Sequence, residues 1–174
     1  MKIKGVIREV GSNQPKLLDR QTDPSNPSDV FPNLFKVQGN WTGTYYIFDN
    51  GCRCIDSGQT SMSHKFLDDH PIRYFQSEIL CWKDGRVQTY KYTARVSNSE
   101  LYWIGDEVDG GISETNSGLI ITEIKNPSAI NPVLRKETIC LDRNEDFRKR
   151  TIEWRDKRGP IRRAMCKEVR NKKS

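Results

Sequence analysis

The stretch Ile72-Arg73-Tyr74-Phe75-Gln76-Ser77-Glu78-Ile79-Leu80-Cys81-Trp82, followed by Lys83-Asp84-Gly85 and then by Arg86-Val87-Gln88-Thr89-Tyr90-Lys91-Tyr92-Thr93-Ala94-Arg95-Val96, decides the fold. Both arms are rich in β-branched and aromatic residues, and the three residues between them supply the backbone angles of a tight turn. Side chains alternate faces along a strand. Tyr74, Gln76, Glu78, Leu80 and Trp82 therefore share one face of the first arm, and Gln88, Tyr90, Tyr92, Ala94 and Val96 share one face of the second. The pair reads as an antiparallel hairpin.

The same pattern extends in both directions. Upstream lie Trp41 to Phe48 and Arg53 to Phe66, separated by Asp49-Asn50-Gly51. Downstream lie Leu101 to Gly105, Leu119 to Ile124, Val133 to Leu141, Phe147 to Trp154 and Ile161 to Val169. Ser97-Asn98-Ser99, Asp109-Gly110-Gly111 and Lys157-Arg158-Gly159-Pro160 supply further turns. No long amphipathic helix breaks the series, and consecutive hairpins imply up-and-down connectivity. A sheet this long is best served by closing on itself, which removes its edges. The expected fold is all-β, an antiparallel up-and-down barrel of about 8–10 strands, just wide enough for one small ligand. Lys2 to Val10 reads as a short strand and Gly11 to Asn33 as a polar loop with poor helix or strand potential. Residues 1–33 thus form a lead-in segment, and the barrel domain occupies 34–174.

At 174 residues the chain fits one domain, which buries roughly 70% of its unfolded surface without metals or disulfides. The 29 Lys and Arg exceed the 23 Asp and Glu, giving +6, and the excess gathers between Arg143 and Ser174. A solvated basic end is the simple reading of that run, ahead of a nucleic-acid contact. No run approaches the roughly 18 apolar residues of a membrane span, and Met1-Lys2-Ile3-Lys4 opens no signal-peptide core. A soluble, intracellular protein is expected. Cys52, Cys54, Cys81, Cys140 and Cys166 are scattered without CxxC spacing, which suits reduced thiols. Cys52-x-Cys54 with His64 and His70 matches no zinc pattern, so no metal is expected, and Ile104 to Gly111 reads as an acidic turn rather than a calcium loop. No Ser/His/Asp grouping or nucleotide-binding glycine loop occurs, which leaves hydrolase and kinase readings without support.

Chemistry concentrates on the inward parity. Arg148 and Arg150 share a face with Ile152 and Trp154. Two guanidiniums on an apolar face need carboxylate partners or an anionic ligand, because an unpaired buried charge costs several kcal/mol. Candidate partners alternate with apolar residues in the same way: Glu137 with Ile139 and Leu141, Glu78 with Tyr74 and Leu80, and Glu168 with Ala164 and Cys166. An interior that combines these with Tyr90 and Tyr92 suits a flat, anionic, partly apolar molecule.

Val37-Gln38-Gly39-Asn40-Trp41-Thr42-Gly43 resembles the opening of lipocalin-like (calycin) barrels, in which the Trp plugs one end and an Arg from the last strands packs across it. The C-terminal third resembles the closing hairpin of the S/U-type phycobiliprotein lyases, a family with a lipocalin-like barrel that attaches linear tetrapyrroles (phycobilins) to cysteines of light-harvesting proteins. The family's R-x-R-T strand matches Arg148-Lys149-Arg150-Thr151, and its terminal C/F-x-E-x-R strand matches Cys166-Lys167-Glu168-Val169-Arg170. Its upstream Glu matches Glu137, and Gly118 to Glu123 resembles the preceding strand. On its first strand the family carries W-x-S-x-R, where this chain reads Trp41-Thr42-Gly43-Thr44-Tyr45, without the arginine.

The resemblance implies that Arg148 and Arg150 hold the bilin propionates. It also implies that Glu137 and Glu168 act as the catalytic pair, contacting pyrrole nitrogens or assisting protonation before thioether formation, while Trp82 lines the pocket. Parity adds Glu78, Tyr90, Tyr92 and Trp154 to that lining. The expected partners are a linear tetrapyrrole, as substrate rather than tightly bound cofactor, and a phycobiliprotein subunit of a cyanobacterial or plastid phycobilisome, met in the cytoplasm or stroma. Membrane contact is not expected, and a homodimer is compatible with the sequence. The alternatives are a non-catalytic calycin carrier of a fatty acid, haem or other apolar anion, and an interaction module whose barrel is filled by side chains.

Overall fold

Alternating burial along each hydrophobic run builds the wall of the molecule. The computed structural model describes residues 26–67, 73–97, 100–105, 108–125 and 132–171. Two short helices, α1 (Pro27–Val30) and α2 (Pro32–Lys36), precede ten strands. These are β1 (Gly39–Phe48), β2 (Cys54–Leu67), β3 (Arg73–Trp82), β4 (Val87–Ser97), β5 (Glu100–Trp103), β6 (Gly111–Glu114), β7 (Ile120–Lys125), β8 (Leu134–Leu141), β9 (Phe147–Asp156) and β10 (Gly159–Arg170). Strands adjacent in sequence pair antiparallel, and β1 pairs with β10, which closes the barrel. The all-β, up-and-down barrel expected from the turn spacing is the one observed. Among the described residues no helix is long and apolar enough to cross a membrane.

Two expectations need correction. β6 was not expected: Asp109-Gly110-Gly111 reads as a turn, and of the four residues of β6 only Ile112 is buried. This strand owes its place to pairing with β5 and β7, not to a hydrophobic run. The polar stretch expected to be loop up to Asn33 is instead helical from Pro27. Each helix begins with proline, which fits the first helical position, and Phe31, Leu34 and Val37 are buried. Helices this short do not hold themselves together. Glu114 fixes the second one, its carboxylate accepting from the backbone N–H of Asn33 and Leu34 (3.1 and 2.6 Å) and from the Asn33 amide (2.9 Å). The strand expected at Lys2 to Val10 and His70 lie outside the described residues.

The interior is layered. Under the helices an apolar cluster contains Phe31, Leu34, Val37, Phe66, Tyr74, Ala94, Val96, Leu101, Trp103, Ile112, Ile120 and Ile139. Toward the other end, where the β1–β2, β3–β4 and β9–β10 turns lie, a second cluster contains Tyr45, Ile47, Ile152, Ala164 and Cys166, with Leu80, Trp82 and Trp154 packed on it. Between the two sits a buried layer of charged and polar side chains. The wall is tightly coiled at this level: a Cβ on Gly43 would lie 2.0 Å from the carbonyl oxygen of Lys167, so β1 and β10 cross there only because position 43 has no side chain.

Trp41 plugs the helical end. Its indole N–H donates to the Val37 carbonyl (2.8 Å), and the guanidinium carbons of Arg148 and Arg170 each lie 4.4 Å from its ring centre. Arg170, from the last strand, packs across the Trp as the calycin resemblance implies. It also donates to the carbonyls of Lys36, Gln38 and Glu145, tying α2 and the β8–β9 turn to the barrel.

Candidate functional site

Strand parity sends Arg148 and Arg150 of β9 inward, and register brings carboxylates to them from three other strands. Arg150 donates through Nε to Glu168 (2.9 Å), through Nη1 to Glu137 (2.9 Å) and through Nη2 to Glu78 (2.5 Å). Arg148 donates through Nε to Glu168 (2.6 Å) and through Nη1 to His64 (2.8 Å). A third guanidinium completes the layer: Arg135 Nη2 reaches Glu78 (3.1 Å) and Glu137 (2.9 Å). Each buried carboxylate is thus held by two guanidiniums, and three positive groups meet three negative ones. The layer is charge-balanced by the chain itself.

Burial alone would raise the Glu78 carboxyl, but Arg150 and Arg135 outweigh it and hold the group down at about 2. Burial lowers Arg148 and, with Arg148 and Arg150 beside it, pushes His64 well below its usual value. For Arg150, burial works against the charged form, and Glu168 and Glu78 more than reverse it. The Cys166 thiol, buried beside this layer, is pushed up to about 12 and is therefore a poor nucleophile.

The structure brings Arg148, Arg150, Glu78, Glu137 and Glu168 into one cluster, each at most 2% exposed. These side chains fill the middle of the barrel rather than line an open space within it. Tyr92 packs on the cluster beneath the helices, 5.4 Å from Trp103, with Tyr90 beside it, whereas Trp82 and Trp154 pack, half-buried, on the second cluster, toward the end opposite the helices. There β10, β9, β8 and β7 align Arg162, Trp154, Arg135 and Ile124 in register. The Arg162 guanidinium stacks on Trp154, 4.5 Å from the ring centre. Tyr90 and Tyr92 stack on each other across 6.4 Å at 6°. The end opposite the helices thus carries Trp82 and Trp154, with the partly buried Arg135 and the exposed Arg162 in register on either side of Trp154. Arg162 is exposed and pairs with no carboxylate among the described residues.

Sequence reasoning missed Arg135, His64 and Arg162. Arg135 had a signal, since it alternates with Glu137 and Ile139. Arg162 had one as well, since it keeps the parity of Ala164, Cys166 and Glu168 and the irregularity in β10 lies on its other side, whereas His64 arrives from 84 residues away. Of two hollows, of about 310 and 490 Å³, Trp82 lines the first, and none of the six charged residues of the layer lines either one.

No family model matches the chain, and no curated protein matches it in sequence. Solved structures share its fold. The S-type phycobiliprotein lyase CPES from Guillardia theta superposes with a TM-score of 0.66 at 12% identity, over 83% of this chain and 94% of that one. A protein of unknown function from the DUF3598 family of Nostoc punctiforme gives 0.62 at 21% identity, over 79% of this chain and 49% of that one. Rv2717c from M. tuberculosis gives 0.54 at 14% identity, over 82% and 98%. The chain spans about half the length of the Nostoc protein. At these identities the likeness is one of fold.

Proposed function

We propose that the chain binds a linear tetrapyrrole at the end of the barrel opposite the helices and delivers it to a cysteine of a phycobiliprotein. The observation that carries this reading is the pair of half-buried aromatics Trp82 and Trp154 at the end opposite the helices, beside the charged layer and with Arg162 stacked on Trp154. Flat conjugated molecules stack on such rings. Arg162, which pairs with no carboxylate among the described residues, and Arg135, the outermost guanidinium of the layer, are the groups available to propionates at that end. Arg148 and Arg150 support the site from behind, with their N–H groups already committed to Glu168, Glu137, Glu78 and His64. Likeness of fold to an S-type lyase, together with the matching R-x-R-T and C-x-E-x-R strands, supports the same reading.

Transfer needs little of the protein. The acceptor thiolate adds to a carbon of an exocyclic double bond of the bilin, a C–S bond forms, and a proton goes to the neighbouring carbon, with no leaving group and no redox partner. The protein contributes positioning and a proton path. Of the two acids implied by the family, Glu137 touches Arg135 and so reaches toward that end, whereas Glu168 bonds only the two deeper arginines.

Mixing the purified protein with phycocyanobilin at micromolar concentration tests the reading. A red-shifted, sharpened absorption band is expected, weakened in Arg162→Ala and Trp154→Ala, and lost on addition of an acceptor subunit as colour moves to that chain. Absence of any shift refutes the proposal. Binding without transfer favours the carrier instead, and native mass spectrometry of freshly purified protein distinguishes a different resident anion.

A further inference from the structure

Among the described residues, the inside of the barrel holds unused donors and a charged layer whose groups are all paired. Among the described residues three buried polar side-chain atoms have no partner: Tyr45 Oη, Trp82 Nε1 and Gln76 Nε2. All three carry an N–H or O–H. The buried carboxylates, by contrast, are each engaged by two guanidiniums. Buried donors left unmade are rare and costly, and they concentrate at functional sites.

Two of the three belong to one aromatic pair. Tyr45, Gly58 and Trp82 are in register across β1, β2 and β3, and the Tyr45 and Trp82 rings meet edge-on at 5.1 Å. A Cβ at Gly58 would lie 3.0 Å from the Tyr45 ring and 2.1 Å from the Cys81 carbonyl oxygen, so the glycine permits the contact. Tyr45 is 2% exposed, and Trp82 stands at the rim. Burial and the nearby Asp56 raise the Tyr45 hydroxyl, which keeps its proton and acts as a donor.

We infer that Tyr45 Oη and Trp82 Nε1 receive a neutral carbonyl oxygen of the ligand, of the kind a lactam end ring presents. This rests on the proposed ligand reading of the end opposite the helices and assigns the polarity of one subsite within it. A carboxylate is the wrong occupant: the layer beneath is already balanced, and Arg86, whose guanidinium lies 4.9 Å over the Trp82 ring, is already held by both Asp56 and Asp84. A neutral acceptor satisfies both donors and adds no charge.

Tyr45→Phe keeps the ring and removes the hydroxyl. In the ligand-free protein it should raise Tm by about 3 °C, because a buried unmade donor is gone, and it should weaken phycocyanobilin roughly five- to tenfold. Trp82→Phe should weaken it similarly. Biliverdin dimethyl ester keeps the lactams and lacks free carboxylates. An equal loss on Tyr45→Phe for ester and free acid supports the inference, and a loss confined to the free acid overturns it. An unchanged or lower Tm also overturns it, since the hydroxyl then has a partner. If the wild type binds no bilin, the proposed function fails, and the subsite is decided separately with 2-pyrrolidinone. A saturable downfield shift of the Trp82 indole N–H resonance supports it, and an unmoved resonance refutes it.

Discussion

Nη1 of Arg148 lies 2.8 Å from Nε2 of His64, and because a guanidinium nitrogen only donates, the imidazole accepts there and is neutral. Its proton sits on Nδ1, facing the hydroxyl oxygen of Tyr74, with which it makes a close contact. Protonating Nε2 would set two donors against each other inside the barrel.

Stability should therefore fall in two steps as the solution is acidified. The folded His64 is held well below 6.5, so the unfolded chain takes up its proton first. The stability due to this site is whole above about pH 6.5 and declines below it. Glu78, held down from 4.5 to about 2, adds a second decline across that lower interval, worth about 3 kcal/mol. Urea midpoints measured between pH 7.5 and 2 check both, and His64→Gln should abolish the upper step while keeping an acceptor for Arg148.

Glu168→Gln should destabilise the fold by about 3–5 kcal/mol, since two guanidiniums lose their shared counter-ion in a site with no exposure. Urea unfolding at pH 7 measures this. A loss below about 1 kcal/mol would mean that water or another acid reaches the layer.

Arg170→Ala removes three carbonyl contacts and one face of the Trp41 sandwich, for an expected cost of about 2 kcal/mol. Arg170→Lys should recover less than half of it, because one ammonium cannot span three carbonyls and stack on an indole at once. Thermal melts of both variants, with Trp fluorescence as the second signal, are the measurement.

Glu114→Ala should cost about 1–2 kcal/mol and release the amides of Asn33 and Leu34 to faster hydrogen exchange, with little change at β9. Uniform acceleration across the barrel would show instead that α2 is part of the cooperative core.

The wall was legible in the sequence because its runs alternate cleanly: the parity of Arg148, Arg150, Glu137 and Glu168 predicts their inward aim, and all four point inward. Parity gives the face of a strand but not its height along the barrel axis. That Glu78 reaches Arg150, 72 residues away, follows from the stagger of the closed sheet, which no single run encodes. The helix at Pro32–Lys36 escaped because what holds it is Glu114, a residue on a strand that itself lacked a hydrophobic signature.

The balanced layer also constrains how this sequence can drift. Losing any one of Glu78, Arg135, Glu137, Arg148, Arg150 or Glu168 strands a charge in the interior, whereas exchanging an acid and a base together for apolar side chains of similar volume does not. Selection should therefore treat these positions as a set, exchanged in acid–base pairs instead of singly.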